Sequence, residues 1–326
     1  MADLQMPRLA DVLAARRRIA PHLARTALHA YPQLDAHLGF RGWVKHENHH
    51  PVGAFKVRGG VNLLARMPAS QREAGVIAAS TGNHGQSVAY SARLFGAACT
   101  VVVPQAANPA KVAAMEALGA RVVAEGDSFD AARRHAAALA EAEGLRYVHS
   151  ANEPDIIAGV GTLALEMLED QALDTLIVPV GGGSGAAAAC IVAKAVDPAI
   201  RVIGVQSAQA PAAYESWRQR RHVEVPSRTW AEGLATGVPF DLTQAILRQH
   251  LDDFVLVDDA EIAAAVRLLL EKTGNLAEGA GAAATAAAVK LRPRLEGRCV
   301  GLVLSGGNLA PSQLRDILAP GVPVAR

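Results

Sequence analysis

A single lysine, Lys56, stands among apolar residues in the stretch PVGAFKVRGG (51–60), with Gly53 three residues before it and Gly59 three after. An ammonium costs several kcal/mol to bury unless it is paired or neutral. Burial therefore lowers the pKa of a lysine and makes it a nucleophilic amine. The ordinary alternative is a lysine at a helix start whose charged end reaches water.

Two glycine-rich stretches that could bind anions each follow a run typical of a strand. In ASTGNHGQ (79–86), Ser80 or Thr81 can cap a following helix, so that the amides of 81–84 point outward, which favours an anion. In PVGGGSGAA (179–187), the backbone N–H groups can cradle a phosphate. The ordinary alternative for the first stretch is a capped helix without a ligand.

The second glycine run also matches the loose dinucleotide fingerprint G-x-G-x-x-A from Gly181 to Ala186. The acid expected about 20 residues later is absent, because Gln206 and Ser207 stand there. The sequence therefore favours a phosphate site over a nicotinamide site. A fourth stretch, VLSGGNLA (303–310), offers the hydroxyl of Ser305 or forms a simple tight turn.

The elements that must position these stretches alternate along the chain. A helix at about 7–24 is followed by strand-like runs of Val, Ile and Leu, which are typical of parallel strands buried on both faces. These runs are 42–47, 75–80, 99–104, 120–125, 145–150, 174–180, 201–206, 253–258 and 299–305. Helices are expected between most of them, among them 108–119, 259–273 and an Ala-rich one at 277–291 that predicts close backbone packing. The pattern breaks at 207–252, which we expect to run over the surface or a cleft, and it predicts an α/β fold with parallel sheets.

Composition excludes several classes of protein. The 326 residues suit one large domain or two closely linked ones, and 51% of them are hydrophobic. A net charge of +1 gives no support for binding to nucleic acid or to a membrane surface. We expect a cytoplasmic protein, since the sequence shows no signal peptide and no apolar run of about 20 residues. Three scattered cysteines predict free, buried thiols in a reducing compartment.

An amine that forms Schiff bases, together with a phosphate cradle, implies pyridoxal phosphate. GAFKVRGG, STGNHGQ, GGGSG and LSGGN, in this order, resemble the fold type II (β-family) pyridoxal-phosphate enzymes, and within them the serine/threonine dehydratases and serine racemases. The resemblance covers roughly residues 15–320. It implies two interlocked domains, each an open, mostly parallel twisted sheet flanked by helices, as in the tryptophan synthase β chain. The large, cofactor-binding domain would hold 1–50 and 151–326, and the small, substrate-side domain 51–150.

The resemblance also implies roles for individual residues. Lys56 would form the Schiff base and move the Cα proton, with Phe55 packed beside the cofactor. Asn83 would bind the phenolic oxygen and Ser305 the pyridine nitrogen. Ser80 and Thr81 are expected to take part in catalysis beside Lys56. The substrate carboxylate would be held by Ser80, Thr81, Gly82, Asn83 and His84, and the phosphate by the amides of Gly181, Gly182, Gly183, Ser184 and Gly185.

The implied reaction is β-elimination from L-threonine, L-serine or a related 3-hydroxy amino acid, giving a 2-oxo acid and ammonia. Alternatives are a dehydratase for a bulkier 3-hydroxy amino acid of hydroxyectoine breakdown, with His49, His50 and 211–240 lining a roomier pocket, or a serine racemase. A nicotinamide-dependent dehydrogenase and a non-catalytic sensor are alternatives of other classes. The expected partners are the small amino-acid substrate and further copies of the chain, in a dimer or tetramer.

The chain departs from the family pattern at four positions. Val52 replaces a frequent Thr or Ser, and Ser184 replaces the fourth glycine of the run. Thr81 stands where racemases have a serine; its restricted side chain predicts a fixed hydroxyl and more elimination than racemisation. Gln206 replaces the acid of the members that bind a divalent cation, so we expect no metal there. We also expect no metal at HENHH (46–50), whose spacing differs from the H-E-x-x-H zinc motif.

Overall fold

The computed structural model describes residues 5–319 and places ten strands in two sheets. The strands are β1 (Leu28–Ala30), β2 (Arg41–His46), β3 (Val76–Ala79), β4 (Cys99–Val103), β5 (Arg121–Ala124), β6 (Arg146–Tyr147), β7 (Thr175–Pro179), β8 (Arg201–Ser207), β9 (Asp253–Val257) and β10 (Cys299–Leu304). The six-stranded sheet has the order β1-β2-β10-β7-β8-β9, and the four-stranded sheet has the order β5-β4-β3-β6. Only β1 runs antiparallel to its neighbour. The predicted α/β class with mostly parallel sheets is confirmed.

Helices flank both sheets in the described part of the chain. They are α1 (Leu9–Ile19), α2 (Pro32–Leu38), α3 (Lys56–Arg66), α4 (Ala69–Ala74), α5 (Asn83–Leu94), α6 (Pro109–Ala117), α7 (Phe129–Glu143), α8 (Pro154–Asp170), α9 (Ser184–Val196), α10 (Ala212–Gln219), α11 (Asp241–His250), α12 (Asp259–Thr273), α13 (Gly279–Lys290), α14 (Arg292–Leu295) and α15 (Pro311–Leu318). Short 3-10 turns lie at Glu47–His49 and Glu232–Leu234. The helix expected at 7–24 is shorter at both ends.

Each strand-like run of the sequence contains a strand, because a parallel strand covered on both faces needs a nearly unbroken apolar run. All five residues of β4 are buried. The strand that the sequence did not predict is β1, which has only three residues and an exposed histidine in its middle. Its short, partly polar sequence gives no apolar run to detect.

The carboxyl ends of four strands lead directly into the stretches that the sequence singled out. β3 ends one residue before Ser80, β7 ends two residues before Gly181, and β10 ends one residue before Ser305. β2 leads through the 3-10 turn at Glu47–His49 to Lys56. This is the edge at which parallel α/β sheets bind ligands.

The Ala-rich helix α13 packs closely against backbone, as predicted. Residues 279–288 of this helix are all buried. A Cβ atom added to Gly281 would lie 2.1 Å from the carbonyl oxygen of Gly306, so only glycine fits at this crossing. The crossing brings the start of α13 against the turn that follows β10.

The irregular segment 207–252 returns to the glycine loop after β7. Asp259, the first residue of α12, fixes this segment by accepting hydrogen bonds from Thr229 Oγ1 (2.5 Å) and the Trp230 amide (3.2 Å). Thr243 Oγ1 then donates to the carbonyl of Gly182 at 2.8 Å. The segment therefore covers part of the cleft.

The three cysteines are free thiols, of which Cys99 and Cys190 are buried and Cys299 is partly exposed. Burial raises the pKa of Cys99 to about 12, which makes it an unreactive core residue. Across residues 5–319, every helix is too short or too polar to cross a lipid bilayer.

Candidate active site

Lys56 is the first residue of α3, and its amine reaches the glycine loop. Nζ donates to Ser184 Oγ at 2.9 Å and lies 3.4 Å from the carbonyl oxygen of Ser150. It also lies 5.0 Å from the centre of the Phe55 ring. Burial lowers the pKa of Lys56 to about 8, as the sequence predicted for a lysine in apolar surroundings. A fraction of roughly one in ten of these amines is therefore neutral at pH 7.

The loop after β7 presents free backbone donors. The N–H groups of Gly181, Gly182 and Gly183 donate to no described residue, and the following helix α9 begins without a side-chain cap. A Cβ atom on Gly181 would lie 2.1 Å from the carbonyl oxygen of Gly233, and Gly183 has a φ of 89°. Small residues are thus required here, and the donors converge on a helix N-terminus that favours an anion.

Ser184 is accommodated as a helical residue. It is the first residue of α9, so it needs no left-handed backbone. Its hydroxyl accepts the hydrogen bond from Lys56 described above. The change from glycine to serine in this run therefore adds a side-chain contact to the lysine.

Phe55 connects the lysine turn to the turn after β10. Its amide donates to the carbonyl oxygen of Ser305 at 3.0 Å, and its ring lies 3.6 Å from a Cβ built on Gly185. Ser305 is buried, and its hydroxyl makes no hydrogen bond to a described residue. The hydroxyl is therefore available to a bound molecule.

Asn83 is held between two side chains that sequence reasoning missed. Its Nδ2 donates to Glu278 Oε1 at 2.6 Å, and its Oδ1 accepts from Asn308 Nδ2 at 2.7 Å. These two bonds fix which end of the Asn83 amide is the donor. Asn308 Nδ2 also donates to the Val52 carbonyl at 2.8 Å, while the Val52 side chain packs among apolar residues. The main chain thus makes a polar contact at a position where the side chain is apolar.

Burial raises the pKa of Glu278, against the opposing effect of the hydrogen bond from Asn83. The residue directly precedes α13, where an acid is ordinarily explained by its attraction to the positive end of the helix dipole. Its partner Asn83 lies 195 residues earlier. The only sequence signal was that Glu278 is the single acid between 272 and 295.

The structure corrects part of the prediction for residues 80–84. α5 begins at Asn83 with Gly82 as its cap, so the predicted capping by Ser80 or Thr81 is wrong. Ser80 Oγ instead accepts from the Gly82 amide at 3.2 Å, within the loop. Thr81 makes no hydrogen bond to a described residue, so the expected helix-capping bond that would fix its hydroxyl is absent.

The His84 ring is turned away from the loop. Its Nε2 bonds the carbonyl oxygen of Val148 at 3.0 Å, and the ring is buried. Burial, with a smaller contribution from Lys56, lowers the pKa of His84 to about 3. The neutral ring therefore donates to the carbonyl, and His84 can offer only its backbone N–H to an anion above α5.

Arg58, two residues after Lys56, lies in a buried network of charges. Its guanidinium forms paired bonds of 2.7 and 2.8 Å to each of Glu47 and Glu166. Lys45 Nζ donates to Glu166 at 2.6 Å. Burial opposes ionisation, but Arg58 holds the pKa of Glu47 well below its usual value. The network ties the first turn of α3 to β2 and α8.

The histidines of HENHH have partners within the protein. His46 and His49 stack with ring centres 4.8 Å apart, and His49 Nε2 bonds Asn275 Oδ1 at 2.9 Å. His50 Nε2 lies 3.3 Å from Glu47 Oε2. No group of three His, Cys, Asp or Glu side chains within residues 5–319 forms a metal-binding cluster.

Gln206 at the end of β8 is fully buried. Its Oε1 accepts a hydrogen bond from the Tyr214 amide at 3.0 Å. The amide oxygen is thus used to join β8 to α10.

Comparisons with known proteins agree with this geometry. A family model described as pyridoxal-phosphate dependent enzyme matches residues 19–306. L-threonine ammonia-lyase of Thermotoga maritima is 37% identical over 316 residues, which cover 96% of this chain and 79% of that protein. Among solved structures, threonine deaminase isoform 2 of Solanum lycopersicum has a TM-score of 0.91 and 30% identity, covering 95% of this chain and 91% of its own. Maize serine racemase has a TM-score of 0.92 and 29% identity, and the match covers 96% of this chain and 97% of the racemase chain.

Proposed function

The chain belongs to the family of pyridoxal-phosphate dependent enzymes, and we propose that it catalyses β-elimination from L-threonine or L-serine, giving a 2-oxo acid and ammonia. The observation that carries this proposal is a lysine with a pKa of about 8 that bonds Ser184 beside three unpartnered glycine amides. Family membership decides against a nicotinamide-dependent dehydrogenase, which the glycine run alone had left open.

The residues present fit pyridoxal phosphate. The free N–H groups of 181–183 and the start of α9 suit its phosphate, and the free hydroxyl of Ser305 suits its ring nitrogen. Asn83 keeps one Nδ2 hydrogen beyond the one given to Glu278, and this hydrogen would serve the phenolic oxygen. Phe55 would pack beside the ring. When bound, the cofactor supplies an aldehyde that condenses with amines and a ring that withdraws electrons from the substrate Cα.

Lys56 would do the proton chemistry. Its lowered pKa leaves part of the amine neutral near pH 7, so it can accept the Cα proton of the substrate. Ser184 Oγ accepts a hydrogen bond from this amine when the amine is free. The backbone amides above α5 would orient the substrate carboxylate and so the Cα–H bond. Ser305 offers a neutral hydroxyl that does not fully protonate the ring, which favours rapid loss of the β-group over reprotonation elsewhere.

Serine racemase is the second candidate, because Thr81 supplies a hydroxyl that is not committed to a helix cap. Its β-branched side chain has restricted rotamers, which favours elimination over proton return from the far face. A bulkier 3-hydroxy amino acid is the third candidate; His49 and His50 give it little support, because both have partners within the fold.

We further propose the division into a large domain, 1–50 and 151–326, and a small domain, 51–150. It is supported by the sheets, since β3 to β6 form one and the other strands form the second. The free thiols support a reducing, cytoplasmic location. The family resemblance supports a dimer or tetramer, which light scattering on the purified protein would test.

The test combines product analysis with lysine labelling. The purified enzyme with pyridoxal phosphate should release a 2-oxo acid and ammonia from L-threonine and L-serine, with little D-amino acid by chiral chromatography. Borohydride reduction followed by peptide mapping should label Lys56. Lys56→Ala should abolish both results, and Lys194→Ala, a change in a partly buried ion pair with Asp252, should leave both intact. Labelling of Lys111 or Lys194 instead would overturn the assignment, and equal rates of D-serine and pyruvate formation would make the protein a racemase.

A further inference from the structure

One ion pair crosses the cleft between the two sheets. Lys111 lies on α6, beside the four-stranded sheet, and its Nζ is 2.5 Å from Oε2 of Glu232. Glu232 begins the 3-10 turn in the segment that covers the glycine loop, where the carbonyl of Gly233 packs on Gly181. The Lys111 side chain is 13% exposed and that of Glu232 is 43% exposed. The lysine thus faces the cleft, and its partner faces solvent.

The same ammonium borders the loop that caps α5. A Cβ atom built on Gly82 would lie 4.0 Å from Lys111 Nζ. Gly82 is the cap residue, so the amides that would hold the substrate carboxylate begin there. Lys111 and Glu232 also shift the pKa of the buried Glu278 in opposite directions, which places both charges within electrostatic reach of the partner of Asn83.

The existing pair is easily exchanged. Ion pairs with an exposed partner contribute about 0–1 kcal/mol, because solvent screens them and two side chains must be ordered. A carboxylate held in the cleft by backbone amides would bind the same ammonium with less solvent and no second side chain to order. A charge-assisted hydrogen bond in such surroundings is worth about 1.5–3 kcal/mol.

We propose that Lys111 is a substrate-binding residue whose ammonium leaves Glu232 for the carboxylate of the bound amino acid. This inference rests on the proposed function and adds a cation to a site otherwise made of backbone amides. Glu232 competes with the substrate for Lys111 and holds the cation at the cleft between turnovers. The exchange therefore links substrate arrival to the contact between the two halves of the molecule.

The test measures binding without turnover. L-alanine has an amine and a carboxylate but no β-leaving group, so its binding to the holoenzyme can be followed by visible absorbance. Lys111→Met should weaken L-alanine binding by about 10- to 100-fold, the loss of one charge-assisted bond. The same change should have little effect on L-alaninamide, which lacks the carboxylate charge. Lys194→Met, which removes a similarly buried lysine from its pair with Asp252, is the matched control and should change neither.

Variants of Glu232 distinguish substrate recognition by Lys111 from a purely structural role of the Lys111–Glu232 ion pair. Glu232→Gln removes the competitor and should bind L-alanine at least as tightly as the wild-type enzyme. The double variant Lys111→Glu with Glu232→Lys keeps the ion pair but moves the cation to position 232. Its binding of L-alanine should therefore stay weak. Wild-type affinity in the double variant, a tenfold loss in Glu232→Gln, or unchanged affinity in Lys111→Met would each overturn the inference.

Failure of the inference is distinguishable from failure of the proposed function. If wild-type holoenzyme binds L-alanine and releases 2-oxo acid from L-threonine while Lys111→Met binds equally well, only the role of Lys111 is wrong. If the wild-type holoenzyme shows no spectral response to any L-amino acid, the function and the inference are both wrong. Retained borohydride labelling of Lys56 in each variant shows that the site itself is intact.

Discussion

The lowered pKa of Lys56 makes a prediction about stability that does not depend on catalysis. Before cofactor is added, the folded protein must hold this amine in apolar surroundings. Its pKa falls from 10.5 to about 8 on folding, a difference of 2.5. At about 1.4 kcal/mol for each pKa unit, the buried ammonium costs the folded state about 3.5 kcal/mol below pH 8.

The sign of the pH dependence follows from proton binding. Between pH 8 and 10.5 the folded chain binds fewer protons at Lys56 than the unfolded chain does, so this contribution to stability rises with pH. Lys56→Met keeps the length and removes the charge. It also loses the bond to Ser184, worth about 1 kcal/mol. The variant apoprotein should therefore be about 2.5 kcal/mol more stable than wild type at pH 7 and about 1 kcal/mol less stable above pH 10.5.

Urea unfolding of both apoproteins at several pH values between 7 and 10.5 measures this difference. Taking the difference between two chains cancels the titration of all groups that they share. Lys194→Met, a loss from a partly exposed ion pair, should show no gain at pH 7. A Lys56→Met difference that stays constant across this range, or a variant already less stable at pH 7, would refute the burial argument for Lys56.

Four further results are expected. Thr81→Ser should raise D-serine formation relative to pyruvate without abolishing elimination, and an unchanged product ratio on chiral chromatography would count against a role for the methyl group. A chelator should leave the rate unchanged because Gln206 replaces an acid, whereas a loss that magnesium or calcium restores would disprove this. Glu278→Gln should lower kcat at least tenfold, because the glutamine amide can donate to Asn83 and so allow the Asn83 side-chain amide to flip. The same change should raise apoprotein stability near neutral pH, where burial disfavours the carboxylate of Glu278. A wild-type kcat would show that the orientation of the Asn83 amide does not matter for catalysis. Arg58→Met should cost about 3–5 kcal/mol in urea unfolding by removing the arginine from buried Glu47 and leaving Glu166 with Lys45 alone, and a loss below 1 kcal/mol would contradict the network.

Most strands and helices could be predicted from the local sequence, because buried parallel strands appear in it as unbroken apolar runs. The helices expected at 259–273 and 277–291 are found at 259–273 and 279–290. The short strand β6 shows the limit: the run 145–150 predicted six residues, but only Arg146 and Tyr147 pair with β3. Strand pairing stops before the chain turns and brings the Ser150 carbonyl toward Lys56. A strand end that is set by a tertiary contact cannot be seen in the local sequence.

Site residues could be predicted from the sequence where a chemically distinctive residue follows a strand. They could not be predicted where common residue types distant in sequence come together in the fold. Lys56, Ser305 and the glycine run each stand at a strand end in an unusual local sequence. Glu278 directly precedes α13 and Lys111 lies within α6, and a charged residue at either position is ordinary in a sequence. Their significance arises only when α13 and α6 bring them to residues 82–83, and no local pattern encodes that meeting.

The lowered pKa of Lys56 requires that the buried carboxylates of this part of the fold stay away from its amine. Burial is the cause of its lowered pKa, with no opposing carboxylate. Yet Glu47 and Glu166 are buried within the network around Arg58, two residues along the same helix turn. Either carboxylate, if free to approach the Lys56 amine, would favour its charged form and raise its pKa. Because Arg58 and Lys45 bind these carboxylates, the chain can bury two acids beside α3 while burial alone sets the pKa of its reactive amine.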